Sequence, residues 1–199
     1  MIAIVDYGAG NLTSVRNAFA ALGAETVATR DASVIEAADS VVFPGVGAAG
    51  KAMENLKSMG LVDSVVAAAR NRRFLGICLG MQILFDRTDE DGGVDCLGVV
   101  GGRVRRFPGD AGVKIPQIGW NGVEWIGEAP GGDAARRSRE YYFVHSYFAE
   151  VVPETSGVSE YAGVKFTAMV RRGRFWACQF HPEKSGRAGM ELLSEWLSC

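Results

Sequence analysis

Two short segments, far apart in the chain, carry residue types that together could break an acyl bond. One is Gly76-Ile77-Cys78-Leu79-Gly80-Met81-Gln82 and the other is Phe180-His181-Pro182-Glu183-Lys184. They supply a thiol nucleophile, an imidazole base and a carboxylate able to orient that base. Gly76-x-Cys78-x-Gly80 has the form of a nucleophile elbow, with an apolar strand turning sharply into a helix. Glycines on either side admit close backbone neighbours. Such a turn holds Cys78 at the carboxyl edge of a sheet, where open α/β folds place ligands, with the Leu79 amide facing an oxyanion formed on attack. A cysteine in an apolar stretch is more often plain core. His181 and Glu183, two residues apart at the end of another apolar segment, favour chemistry instead.

The elements that must position these groups follow from the apolar periodicity. Met1–Asp6 reads as a buried strand stopped by Gly8-Ala9-Gly10, and Asn11 caps a helix with Leu12, Val15, Phe19 and Leu22 on one face. Strands are expected at Thr26–Thr29, Ser40–Phe43 and Phe74–Ile77, and helices at about 48–59, 61–72 and Leu79–Phe85. This alternation predicts a parallel sheet with helices on both faces. The second half reads as strands near 99–107, 113–125, 140–149, 164–171 and 174–180, taken as antiparallel additions. A final helix runs from about Gly186 to Leu197, and residues 129–139 read as a mobile surface loop. The expected fold class is therefore α/β: an open, mostly parallel sheet flanked by helices with added antiparallel strands. All of residues 1–199 read as a single domain.

Composition narrows the function. With 48% hydrophobic and 22% charged residues the balance is that of an ordinary globular protein. A net charge of −2 gives no electrostatic case for nucleic acid or an anionic membrane, and no apolar run is long enough to span a bilayer. The arginines at 103, 105, 106, 136, 137 and 139 read as a solvated rim. No targeting segment is visible, so a cytoplasmic protein is expected. Cys78, Cys96, Cys178 and Cys199 lack CxxC spacing and the chain has only two histidines, so no metal site is expected. Gly8-Ala9-Gly10 lacks the third glycine of a dinucleotide fingerprint, because position 13 is threonine, and no acid ends the second strand.

With the elbow and the late His-Pro-Glu in place, the sequence resembles the triad-type (class I) glutamine amidotransferase family, whose fold is flavodoxin-like. Within it the loop Pro44-Gly45-Val46-Gly47 resembles the glutaminase subunits of imidazole glycerol phosphate synthases. So do Asp6-Tyr7-Gly8-Ala9-Gly10-Asn11-Leu12, Pro116-Gln117-Ile118-Gly119-Trp120-Asn121, Tyr142-Phe143-Val144-His145-Ser146-Tyr147 and the Lys184-Ser185 that follows the His-Pro-Glu. The resemblance implies hydrolysis of the glutamine side-chain amide through a Cys78 thioester, with His181 as base and Glu183 as its orienter. It implies an oxyanion hole built from Val46, Gly47 and Leu79, with Gly47 letting its peptide flip. Gln82, Ser146 and Tyr147 would bind glutamine, and Asn11, Ile118, Trp120 and Lys184 would face a partner. That partner would be a (β/α)8-barrel cyclase subunit in a heterodimer, receiving ammonia for histidine biosynthesis. No cofactor is implied. His145, beside aromatics and not close in sequence to the triad, reads as structural. Competing readings are a stand-alone cysteine hydrolase and a catalytically silent scaffold subunit.

Overall fold

Three strands near the start of the chain are buried on both faces, and this places them at the centre of the molecule. They are β1 (Ile2–Val5), β3 (Ser40–Gly45) and β4 (Arg73–Cys78). β2 (Thr26–Thr29) lies outside them, giving a parallel order β2-β1-β3-β4. Side chains alternate between two cores because successive residues of a strand point to opposite faces. Ala3, Val5, Val41, Phe43 and Phe74 pack against α2 (Ala32–Ala37), α3 (Ala49–Ser58) and α4 (Val62–Asn71). Ile2, Ile4, Val42, Leu75 and Ile77 pack against α1 (Leu12–Ala21) and α6 (Gly186–Ser198). Helices thus cover both faces, as expected. The computed structural model describes residues 1–109, 112–126 and 138–199.

The second half of the sheet differs from expectation in one respect that decides the site. β13 (Phe175–Cys178) is not an antiparallel addition at the edge: it inserts beside β4, parallel to it, with Phe175 opposite Phe74 and Cys178 opposite Ile77. Its other neighbour, β12 (Val164–Arg172), runs antiparallel. Beyond β12 the order continues through β10 (Tyr147–Ala149), β7 (Arg103–Arg106) and the two-residue pieces β5 (Arg87–Thr88) and β6 (Val94–Asp95). An antiparallel branch of β11 (Thr155–Tyr161), β8 (Gln117–Trp125) and β9 (Ser138–His145) leaves from β12.

The single strand expected at 140–149 is two strands. β9 pairs with β8, whereas β10 pairs with β7 and β12, and the chain changes partners at Ser146. The helix expected at Leu79–Phe85 is shorter. α5 covers Leu79–Gln82, and the amides of Leu84 and Phe85 then bond three residues back rather than four. Of the surface loop expected at 129–139, residues 129–137 lie outside the described residues, while Ser138 and Arg139 already belong to β9. Of the arginines, 103, 105 and 106 are exposed, in keeping with a solvated rim, and Arg105 pairs with Glu150; Arg139 is instead partly buried in its pair with Glu191, and 136 and 137 are outside the described residues. Among the described residues no helix is long and apolar enough to cross a membrane.

Close backbone packing fixes the elbow against β3. A Cβ at Gly80 would land on the Phe43 carbonyl oxygen, and one at Gly45 would strike the Tyr7 hydroxyl and come within 2.7 Å of the Gly80 nitrogen. Gly80→Ala must therefore prise α5 away from β3. It is expected to cost about 3 kcal/mol of stability, read as a lower urea midpoint with an unchanged slope.

Candidate active site

β4 ends on Cys78, whose backbone has φ 55° and ψ −114°. This is a region that non-glycine residues enter only at a cost of about 1–3 kcal/mol, when the surroundings over-determine it. The turn is held by β3 on one side and β13 on the other, and the side chain is almost fully buried. The same parallel register delivers His181 three residues past the end of β13. The His181 amide donates to the Tyr142 carbonyl at 2.9 Å, and the Ser185 hydroxyl donates to the His181 carbonyl at 2.6 Å. Pro182–Lys184 then form a single 3-10 turn that brings Glu183 back under the ring.

His181 Nδ1 donates to Glu183 Oε1 at 2.8 Å, with both side chains 3% exposed or less. Nε2 is buried, and Cys78 is the titratable side chain that acts on the ring from that side. Burial alone would drive this imidazole towards neutrality. Hydrogen bonding and charge from Cys78 and Glu183 outweigh burial and raise its pKa to about 10. His145 shows the opposite outcome. Burial lowers its pKa to about 4, while Nδ1 lies 2.7 Å from the Tyr147 carbonyl and Nε2 2.9 Å from the Gln117 side chain. It is a hydrogen-bonded structural residue, in agreement with its sequence reading.

A cavity of about 290 Å³ opens over these groups. Its wall includes Val46, Gly47, Cys78, Leu79, Gln82 and His181, together with Val144, His145, Ser146 and Tyr147 from the β9–β10 switch. A larger open groove of about 690 Å³, between α1 and the start of β2, holds no nucleophile. The site cavity can take a small amino-acid-sized molecule, present a thiol to it and protonate a leaving group from the imidazolium. Residues 3–198 match the family model described as glutamine amidotransferase class-I.

The chain belongs to this family. A relative from Herpetosiphon aurantiacus, named imidazole glycerol phosphate synthase subunit HisH, is 45% identical, covering 99% of this chain and 93% of its own length. One of the same name from Methanothermobacter thermautotrophicus is 42% identical over 99% of this chain and 98% of its own. Among solved structures, a crystal structure described as a glutamine amidotransferase superposes with TM-score 0.74 at 19% identity, covering 99% of this chain and 97% of that one. A glutamine amidotransferase from Thermotoga maritima does so with TM-score 0.60 at 19% identity, covering 99% and 80%. These two likenesses speak to the fold.

Within this amidotransferase site the sequence-predicted residues fall into two groups. Cys78, His181, Glu183, Val46, Gly47, Leu79, Gln82, Ser146 and Tyr147 converge on the cavity or lie directly behind it. Gly47 has φ 100° and lies exposed with open space where a Cβ would be, so backbone conformation rather than crowding calls for glycine there. Gln82 is only half available, because its amide nitrogen already donates to Tyr147 O at 2.8 Å and Gln179 Oε1 at 2.9 Å. Asn11, Ile118, Trp120 and Lys184 stay outside the cavity on the surface. Asn11 caps α1 by accepting from the Ser14 amide, and α1 packs beside the 182–184 turn. Lys184 lies 5.9 Å from the Tyr142 ring, which also meets Trp120 edge-on at 6.3 Å.

Glu90 is a wall residue that the sequence reading missed. It is the one acid on the described wall, and its carboxylate accepts from the Ala49 amide at 2.8 Å. It offers negative charge to a ligand ammonium group. No motif marks it, because it reaches the cavity through an isolated 3-10 turn at 90–92.

With two histidines in the chain, imidazole NMR can resolve both. His145 should stay neutral down to about pH 5, and His181 should remain an imidazolium at pH 8. The folded His181 value lies above the unfolded value of about 6.5. Its contribution to stability is therefore complete below about pH 6.5 and lost as the pH rises through about 10. A neutral His181 at pH 8 would contradict the coupling to Cys78 and Glu183.

Proposed function

We propose that this chain is the glutaminase subunit of an imidazole glycerol phosphate synthase, a single domain spanning residues 1–199 that works in the cytoplasm. It hydrolyses glutamine to glutamate and ammonia, and hands the ammonia to a cyclase subunit in histidine biosynthesis. The cyclase joins it to a ribulosyl-phosphate intermediate, giving imidazole glycerol phosphate and an aminoimidazole carboxamide ribotide. The observation that carries this reading is near-full-length similarity to relatives of that name. The meeting of Cys78 and His181 on one cavity, with Glu183 behind the imidazole, supports it chemically.

The chemistry follows from the geometry. Glutamine enters with its ammonium group towards Glu90 and its side-chain amide over Cys78. The sulfur attacks the amide carbon, and the negative charge on the carbonyl oxygen meets the Leu79 amide and the Val46–Gly47 peptide. His181 gives its proton to the amide nitrogen as the carbon–nitrogen bond breaks, and ammonia leaves. His181 then takes a proton from water, which attacks the thioester and releases glutamate and the thiol. Glu183 holds the imidazole through Nδ1 and stabilises its charged form.

Exposure supports a partner surface on this side of the molecule. Ile118 and Trp120 are 56% and 55% exposed, unusual for such large apolar side chains, and they neighbour Tyr142 and Lys184 beside the triad acid. Docking there places the cyclase at the back of the His181–Glu183 turn.

Glutamate release should be measured on the chain alone and with the cognate cyclase plus its ribonucleotide substrate. Strong stimulation by the pair is expected, with Cys78→Ala lowering the stimulated rate by at least about 10³-fold. Full activity without the partner would favour a stand-alone hydrolase, and a Cys78→Ala variant as active as wild type would remove the nucleophile assignment. Trp120→Ala should weaken cyclase binding at least about tenfold, with thermal stability unchanged. Unaltered binding by calorimetry would move the interface elsewhere.

A further inference from the structure

Gln179, just past β13, takes no part in the apparatus described so far. It is fully buried, and its backbone amide bonds Ala168 O at 2.9 Å. Its side-chain Nε2 lies 3.7 Å from Cys78 Sγ, and its Oε1 accepts from Gln82 Nε2 at 2.9 Å. Gln82 Nε2 in turn donates to the Tyr147 carbonyl at 2.8 Å.

The direction of this relay is not arbitrary. A backbone carbonyl can only accept, so Tyr147 O compels Gln82 to present its NH2 group. The NH2 of Gln82 then requires the oxygen of Gln179, which turns the NH2 of Gln179 onto the sulfur. The other polar neighbour of Sγ is the Val144 carbonyl at 3.8 Å, an acceptor that suits the neutral thiol. A donor suits the thiolate. We propose that Gln179 is a further catalytic residue, donating a hydrogen bond that stabilises the Cys78 thiolate and tying the nucleophile, through Gln82, to the Tyr147 wall of the substrate cavity. Other groups bear on the sulfur as well. They are His181 with Glu183 behind it, Tyr7 at the end of β1 and Cys178 on β13. Of these, His181 and the Tyr7 hydroxyl carry donors as well.

The inference rests on Cys78 being the nucleophile, so Cys78→Ala is measured alongside. Gln179→Met keeps the size and removes the donor. In the cyclase complex it should lower kcat about 10- to 100-fold, the order expected for one hydrogen bond to a charged group, with KM for glutamine changed less than about threefold. Site-resolved alkylation by iodoacetamide at pH 7 should slow about tenfold at Cys78, with exposed Cys199 as internal reference. A purely structural role would lower the melting temperature and leave Cys78 alkylation in the folded variant at the wild-type rate. Gln179→Glu keeps the acceptor for Gln82 and is the second variant should the methionine form not fold; it should slow Cys78 alkylation at pH 7 likewise. Wild-type kcat and alkylation in a folded Gln179 variant, with Cys78→Ala inactive, would overturn this inference and leave the nucleophile assignment standing. An active Cys78→Ala would remove both.

Discussion

The hydrogen-bonded register between β4 and β13 is the constraint on which the rest depends. Two parallel neighbours end at the same edge of the sheet, so whatever follows each is brought together. Cys78 lies one residue past Ile77, and His181 three residues past its partner Cys178. A slip of one residue would move the imidazole by about 3.3 Å and turn every side chain of β13 to the wrong core. The slip is resisted because both faces of β13 are buried. Trp176 and Cys178 sit in one core and Phe175 and Ala177 in the other, with the Arg171 guanidinium 4.4 Å over the Trp176 ring. Trp196 on α6 adds a hydrogen bond of 3.1 Å to the Phe74 carbonyl of β4, tying the covering helix to the strand that ends in Cys78.

Inside that frame, small differences in environment separate chemically similar groups. His145 and His181 are both buried in the same half of the molecule. One faces a backbone carbonyl and an amide side chain and is driven neutral. The other faces the Glu183 carboxylate and the Cys78 sulfur and is held charged. Burial acts on both in the same direction; the partners decide the outcome. The backbone strain at Cys78 is sustained in a comparable way, by close contacts between α5 and β3 that leave no room for the turn to relax.

Much of this was legible in the sequence, and the failures have physical reasons. β1, β3 and β4 are visible because both faces are apolar. β11 is not, because its inward positions are Thr155, Gly157 and Ser159, satisfied by hydrogen bonds to Thr167 and Gly122 rather than by apolar packing. α2 has only six residues, and its one signal is the Asp31 cap on Ser33. The orientation of β13 could not be read from composition, since an apolar segment of that length fits either direction. Motif spacing found the residues that follow β4 and β13. It could not find Glu90 or Gln179, whose positions at the site exist only through contacts between segments remote in sequence.

β13 also comes after every other strand in the chain, yet it fills a place in the middle of the sheet, between β4 and β12. During synthesis the segment bearing Cys78 emerges early and waits through most of translation beside an empty slot. Pairings between segments so distant along the chain form late in folding, because loop closure must precede them. The same event that seals the sheet therefore delivers His181, Glu183 and Gln179 to the side of Cys78. In the chemistry proposed above, a half-made or misassembled molecule has Cys78 without its imidazole, so it is silent towards substrate rather than leaky, and enzymatic competence becomes a report that the polypeptide has finished folding.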